Sequence, residues 1–393
     1  MAISHVEPAP GAAVWRTVAP ADRPVLVLLY MAFLVEMVFF IVLGPLLPTY
    51  AEDLDLSTSA AGVLAASYSL GCSLAAVPAG LLVARLGARP IAVAGLALIG
   101  LACGGFALAR SIVALDAARI VQGVGAAALW SGAVAWLLEL ADGAGRGRLV
   151  GLAFSAAGVG ATLGPAVGAL AGAAGSRPVF LGLAACIVSL ACAGAVLARR
   201  RPGAGSAAPG SMALRRTLSR PVAGALGLVA LPSLAFGIAG VLVSLRLHDL
   251  GAAVVAISGA YLVASLAEAV SQPLIGRWYD ARGAVRVLRV TLTASGVALV
   301  VLATGLPEWA LLAGLAIAWP IFSTVWVPAL AELTRRVERT GGQSGVALGL
   351  FMACWATFQA LGAIGGSALA ALGAGVPLLA LAAAYAAASF ATR

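Results

Sequence analysis

Apolar residues in this chain come in long runs, and twelve of those runs are candidates to cross a bilayer. A helix needs about 20 mostly apolar residues to span the hydrocarbon core. The first six candidates lie near 25–48, 58–82, 90–109, 112–138, 149–173 and 178–198. The second six lie near 222–246, 253–275, 287–306, 309–331, 344–370 and 375–392. With 62% of 393 residues hydrophobic and 10% charged, the chain has too little polar surface to face water throughout. The 48 glycines suit helices that pack backbone against backbone in lipid. The first run, from Val25, is too long for the apolar part of a cleaved signal and reads as a spanning helix.

Charge sets the expected orientation. The formal net charge is +9, and every basic residue is an arginine. If the N-terminus lies inside, all of the 24 arginines except Arg110, Arg119, Arg177 and Arg246 fall in cytoplasmic segments. That bias is the positive-inside pattern. It explains the charge through lipid headgroups, so no nucleic-acid partner is expected. The longest polar break, 199–221, reads as a cytoplasmic linker. The expected organisation is therefore a cytoplasmic tail at 1–24, a six-helix bundle at 25–198, the linker, and a second six-helix bundle at 222–393.

The two halves carry a repeat. Gly80-Leu-Leu-Val-Ala-Arg85-Leu-Gly87 follows the second run, and Gly276-Arg-Trp-Tyr-Asp280-Ala-Arg-Gly283 follows the eighth, 196 residues later. Repeats of this kind build many transporters, whose substrate sits between the halves near the midplane. These loops, with Arg85 and Arg89 in the first copy, resemble the G-x3-D-[RK]-x-G-[RK]-[RK] loop of the major facilitator superfamily. The first copy has Ala84 at the acidic position, whereas the second keeps Asp280. Arg119-Ile-Val-Gln122-Gly123-Val-Gly125 resembles the family's fourth-helix motif. Gly151, Gly160, Gly164-Pro165 and Gly168 resemble a fifth-helix motif associated with its drug:proton antiporter branch. The resemblance implies an all-α membrane protein with twelve transmembrane helices in two pseudo-symmetric bundles. It also implies a usual monomer, with the two loops bracing the halves on the cytoplasmic side.

Charges inside the runs are the candidate chemistry. Each costs about 3 kcal/mol at the bilayer centre, so each should face a partner or a cavity. Glu36 lies in the first run among Phe33, Met37 and Phe40, and is a candidate proton carrier and counter-charge for a cationic substrate. Glu268 belongs to a stripe with Ser258, Tyr261, Ser265 and Gln272 at helical spacing, either a cavity wall or a polar seam between helices. Arg119 shares a face with Asp116 and Gln122. It is either neutralised by Asp116 or helps drive a proton off a cavity acid. Gly160, Gly164 and Gly168 form one bare face, and Pro165 should kink that helix, giving a pivot or a close-packed seam. Trp319, Phe322 and Trp326, and then Trp355 and Phe358, could line a site for a flat lipophilic substrate, although packing is the commoner role for such residues. Glu139 is expected to pair with loop arginines.

Other functions find little support. The five cysteines sit in apolar runs without metal-ligand spacing, and His5 and His248 are too far apart to suggest a metal pair. With no lysine there is no G-x4-G-K-[ST] phosphate loop. No nucleophile–base arrangement suggests an enzyme, and no cofactor is expected. The leading expectation is proton-coupled efflux of small lipophilic or cationic compounds at the inner membrane. A metabolite importer or uniporter, and a non-transporting sensor on the same scaffold, are the alternatives.

Overall fold

The computed structural model describes residues 19–140, 146–199, 219–339 and 344–392. Most of the expected N-terminal tail and of the central linker lies outside them. The first half contains α1 (Arg23–Ile41), α2 (Leu43–Asp53), α3 (Thr58–Leu86), α4 (Ala88–Leu108), α5 (Ile112–Glu139), α6 (Arg146–Ala174) and α7 (Ser176–Arg199). The second contains α8 (Arg220–Asp249), α9 (Val254–Arg282), α10 (Ala284–Ala303), α11 (Glu308–Ser323), α12 (Trp326–Arg339), α13 (Ser344–Leu369) and α14 (Val376–Ala391). The described residues include no strand. These fourteen helices make twelve passes.

Two passes are broken, where the sequence suggested continuous helices. The first turns at Val42 between α1 and α2, and the tenth turns at Thr324 and Val325 between α11 and α12. A proline ring removes one helical hydrogen bond and clashes with the carbonyl four residues earlier. Pro45 strikes at position 41 and Pro328 at position 324, which is where the helices break. Pro165 does not break its pass: α6 runs unbroken from Arg146 to Ala174. Eleven passes are long and apolar enough to span a membrane. The twelfth, α14, has 16 residues, about 24 Å of helix. Arg289 donates a hydrogen bond of 2.7 Å to the Thr392 carbonyl just past its end.

The repeat is visible residue for residue. Both α3 and α9 have 29 residues. Each ends at a glycine with positive φ, Gly87 at 91° and Gly283 at 78°. Side chains disfavour that backbone, so the two loop glycines turn the chain straight into α4 and α10. Buried apolar side chains gather into two main clusters. One is drawn almost wholly from residues 25–191, the other from residues 222–385.

With twelve passes, the entry to α1 and the exit of α14 lie at one end of the bundle, here the termini end. Close contacts between the halves concentrate at the opposite, far end. On α3, a Cβ added to Gly62 would lie 2.0 Å from Ser367 Oγ and 2.7 Å from the Ala363 carbonyl on α13. On α6, a Cβ at Gly172 would lie 3.3 Å from Val254 Cβ on α9. Gly44 of α2 meets the Tyr261 ring of α9, and His248 of α8 lies 3.1 Å from Glu52 of α2. Near mid-span, Ser73 and Thr357 share a hydrogen bond of 2.7 Å between α3 and α13. Towards the termini end, Gly80 of α3, Gly276 of α9 and Gly349 of α13 have open space where a side chain would be. Among the described residues, the tightest contacts between the halves thus lie towards the far end.

Gly62 gives a direct test of that seal. Overpacking a tight contact costs about 1–3 kcal/mol, and here the strain exists only while the far end is closed. Gly62→Ala is therefore expected to shift the chain towards a far-end-open form. Labelling of a single cysteine placed in the seal should become faster in that variant, with thermal stability little changed.

Candidate functional site

The broken first pass creates the site. α1 ends at Ile41, and the carbonyls of a helix's last turn are open to donors from outside it. Arg119 of α5 supplies donors: its Nη1 reaches the Phe39 carbonyl at 3.2 Å and its Nη2 the Phe40 carbonyl at 3.5 Å. Nη1 also donates to Gln122 Oε1 at 2.7 Å. Arg119 is 2% exposed and Glu36 is fully buried.

Glu36 sits on α1 little more than a turn before those carbonyls. Tyr68 of α3 donates its hydroxyl to Oε1 at 2.6 Å, and Trp130 of α5 donates Nε1 to Oε2 at 3.3 Å. The guanidinium carbon of Arg119 lies 5.2 Å from the Tyr68 ring centroid, within cation–π range. Tyr68 therefore touches both buried charges. Arg119 Nε and Gln122 Nε2 are buried donors with no hydrogen-bond partner. An unsatisfied buried donor costs about 1–3 kcal/mol.

Asp116 is not the partner of Arg119 that helical spacing allowed. It accepts a hydrogen bond of 2.9 Å from Ser67 on α3, and Arg119 turns instead to Gln122 and the end of α1. The bare face of α6 also has a more specific partner than spacing revealed. A Cβ at Gly160 would lie 2.2 Å from the Leu34 carbonyl, at Gly164 2.7 Å from Ile41 Cβ, and at Gly168 2.8 Å from Pro45 Cγ. The glycines, with Pro165 among them, seat α6 on α1 and α2, the pass that carries Glu36. Gly160→Leu is expected to prise that pair apart and lower stability by roughly 1–3 kcal/mol or more, read as a fall in melting temperature.

The aromatic stripes take several roles. Phe33 is fully buried against Trp130, with ring centroids 4.5 Å apart. Phe322 is fully buried too. In this conformation neither ring is exposed. Trp319 and Trp326 flank Phe236, which spacing had not singled out, at 4.6 Å and 5.9 Å. Tyr261 packs edge-on against Trp319 and shares a hydrogen bond with Ser244. Phe40 contacts Tyr68 in its own half and Trp355 in the other, with centroids 4.4 Å and 5.7 Å apart. The Glu36 network thus reaches the boundary between the halves. Phe358 is half-buried against the second cluster.

On α9, Glu268 is half-buried at mid-helix and faces Ser323 at the break between α11 and α12. Gln272 donates to the Ser323 carbonyl at 3.0 Å. Ser258 and Ser265 are buried on the same stripe. The stripe therefore lies against the second broken pass. Glu268 and Gln272 lie 14 and 18 residues past Val254 of the far-end seal, whereas Tyr261, on the same stripe, meets Gly44 within it.

Among the described residues, the repeated loops make no hydrogen bond or ion pair between the halves in this conformation. Arg89 pairs with Glu139 at 3.2 Å, as expected, but that bond joins α4 to α5 within one half. Gly80 and Gly276 face open space, and Arg85 and Asp280 are exposed. Among the described residues, no group of three or more His, Cys, Asp or Glu side chains could hold a metal ion.

Comparison with known proteins fits this architecture. The sequence profile of the Major Facilitator Superfamily matches residues 28–245. The class C tetracycline resistance protein of Escherichia coli is 37% identical over 145 residues, 36% of this chain and 36% of that protein. The quinolone resistance protein NorA of Staphylococcus aureus is 26% identical over 174 residues, 43% of this chain and 45% of NorA. The chain thus matches less than half the length of either relative. The crystal structure of the nucleoside transporter NupG superposes with a TM-score of 0.74 at 12% identity, covering 95% of this chain and 98% of that one. That likeness is one of fold.

Proposed function

Because the chain belongs to the Major Facilitator Superfamily, a family of transporters, we propose that it exports small lipophilic or cationic compounds in exchange for protons by alternating access. The reading places it in the inner membrane with both termini in the cytoplasm. The structure then corresponds to an inward-open form. Partial relatives that confer tetracycline and quinolone resistance support the substrate class.

The observation that carries the reading is the buried Glu36, held by Tyr68 and Trp130, with the Tyr68 ring also against Arg119. Each oxygen of the Glu36 carboxyl faces a donor, Tyr68 at Oε1 and Trp130 at Oε2. Once the proton leaves, the carboxylate needs donors and counter-charge. Tyr68 and Trp130 are in place, and Arg119 Nε and Gln122 Nε2 are unspent. A cationic substrate arriving through the cytoplasmic opening would favour the ionised form and displace the proton inward. Opening at the far end would then release the substrate outside and let a new proton reload Glu36. Glu268 stands beside the second broken pass as a further protonatable group.

Proteoliposomes with a trapped pH dye test the proposal. With a pH gradient imposed, lipophilic cations should collapse it in vesicles holding the protein. Substrate flux without proton movement would instead support a uniporter. Binding without flux would support a sensor.

A further inference from the structure

A second site lies away from the boundary between the halves. Where Gly87 turns the chain from α3 into α4, the last turns of α7 return alongside and leave a groove of about 490 Å³. Small side chains carve it: Ala94 and Ala97 of α4 face Ala195 and Ala198 of α7, with Val93 between them. Arg89 and Arg199 stand at its rim. Helices α4 and α7 pack mainly on each other and on α5 and α1, and their principal contacts are all within the first half. The groove therefore opens towards the bilayer at the depth where the helices meet the headgroups.

The rim is positive and partly preset. Arg89 gives Nε and Nη2 to Glu139 and leans over Trp136, its guanidinium carbon 5.8 Å from the ring. That contact fixes its direction and leaves Nη1 unspent. Arg199 ends α7 and is exposed. Glu139 offsets one of the two charges, so the rim keeps a net positive charge above an apolar floor. A free phosphate would satisfy the arginines and leave the floor empty. A zwitterionic lipid would fill the floor but bring an ammonium to the arginines.

We propose that this groove binds one anionic phospholipid of the leaflet on the termini side. Its phosphate meets Arg89 and Arg199, and an acyl chain lies along the alanine floor. The inference rests on the passage of these helices through a membrane, and not on proton exchange. Titrating the detergent-washed full chain with phosphatidylglycerol or phosphatidylcholine, and counting bound lipid by native mass spectrometry, tests it. The wild-type chain should hold one phosphatidylglycerol in preference to phosphatidylcholine. Each basic side chain near a charged headgroup is worth roughly five-fold in affinity, so Arg199→Gln should weaken binding by about that factor and Arg199→Lys should restore much of it. Ala94→Leu/Ala198→Leu should expel the lipid with both arginines intact. Arg199 is exposed, so its variants leave the packed core alone. Equal retention of the two lipids would overturn the proposal. So would full retention in the leucine variant, or displacement of the lipid by millimolar inorganic phosphate.

Discussion

Oxidising a Gly172→Cys/Val254→Cys variant, in a background with the five natural cysteines replaced, is expected to stop transport, and reduction to restore it. These positions face each other across the far-end seal, with Cβ atoms that would lie 3.3 Å apart. A disulfide favours about 3.5–4.5 Å between Cβ atoms, so a small local shift suffices. The bond ties α6 of one half to α9 of the other and holds the far end closed. An alternating-access carrier needs that end to open once per cycle, so the oxidised protein should fall to the background of empty vesicles while still binding substrate from the termini side. Transport that continued with the disulfide verified by mass spectrometry would show that this seam need not open.

The second large effect concerns Glu36. Glu36→Gln keeps the size of the side chain and an acceptor for Tyr68, but carries no exchangeable acid proton. The amide also turns donors towards Trp130 Nε1, itself a donor. Proton movement driven by substrate should drop to background, and so should uphill export. Exchange of labelled for unlabelled substrate, which needs no net proton transfer, should persist. That split separates a coupling role from a folding defect, which would remove both. Glu268→Gln tests the second acid in the same assay, and a larger loss there would transfer the coupling role to α9.

Much of the fold was legible because lipid imposes a length on each apolar run. The 196-residue repeat was legible because Gly87 and Gly283 share a backbone that side chains disfavour. The breaks in the first and tenth passes were not. Pro165, Pro232 and Pro273 sit inside continuous helices, so a proline in an apolar run does not by itself mark a break. Glu36 could be found from the cost of its charge, but its partners could not. Tyr68 and Trp130 come from other helices and reach it only after α1, α3 and α5 have packed. The turn of Arg119 away from Asp116 has the same origin, since the Phe39 and Phe40 carbonyls that it meets belong to α1, another helix. The bare face of α6 was readable from spacing, whereas its docking on Leu34, Ile41 and Pro45 was not. The seal itself appears only in three dimensions, because Gly62 and Ser367 stand at nearly opposite ends of the chain.

Paired spin labels at both ends of the molecule would test the central claim most directly. One pair, at Leu86 and Val285, reports the termini end, and a second, at Asp53 and Leu250, reports the far end; all four side chains are exposed. With substrate present and the pH varied, the account predicts opposed changes: the termini-end distance shortens as the far-end distance lengthens, and Glu36→Gln removes the dependence on pH. Distances that move together, or that stay fixed while substrate is carried, would contradict proton-coupled alternation between two openings.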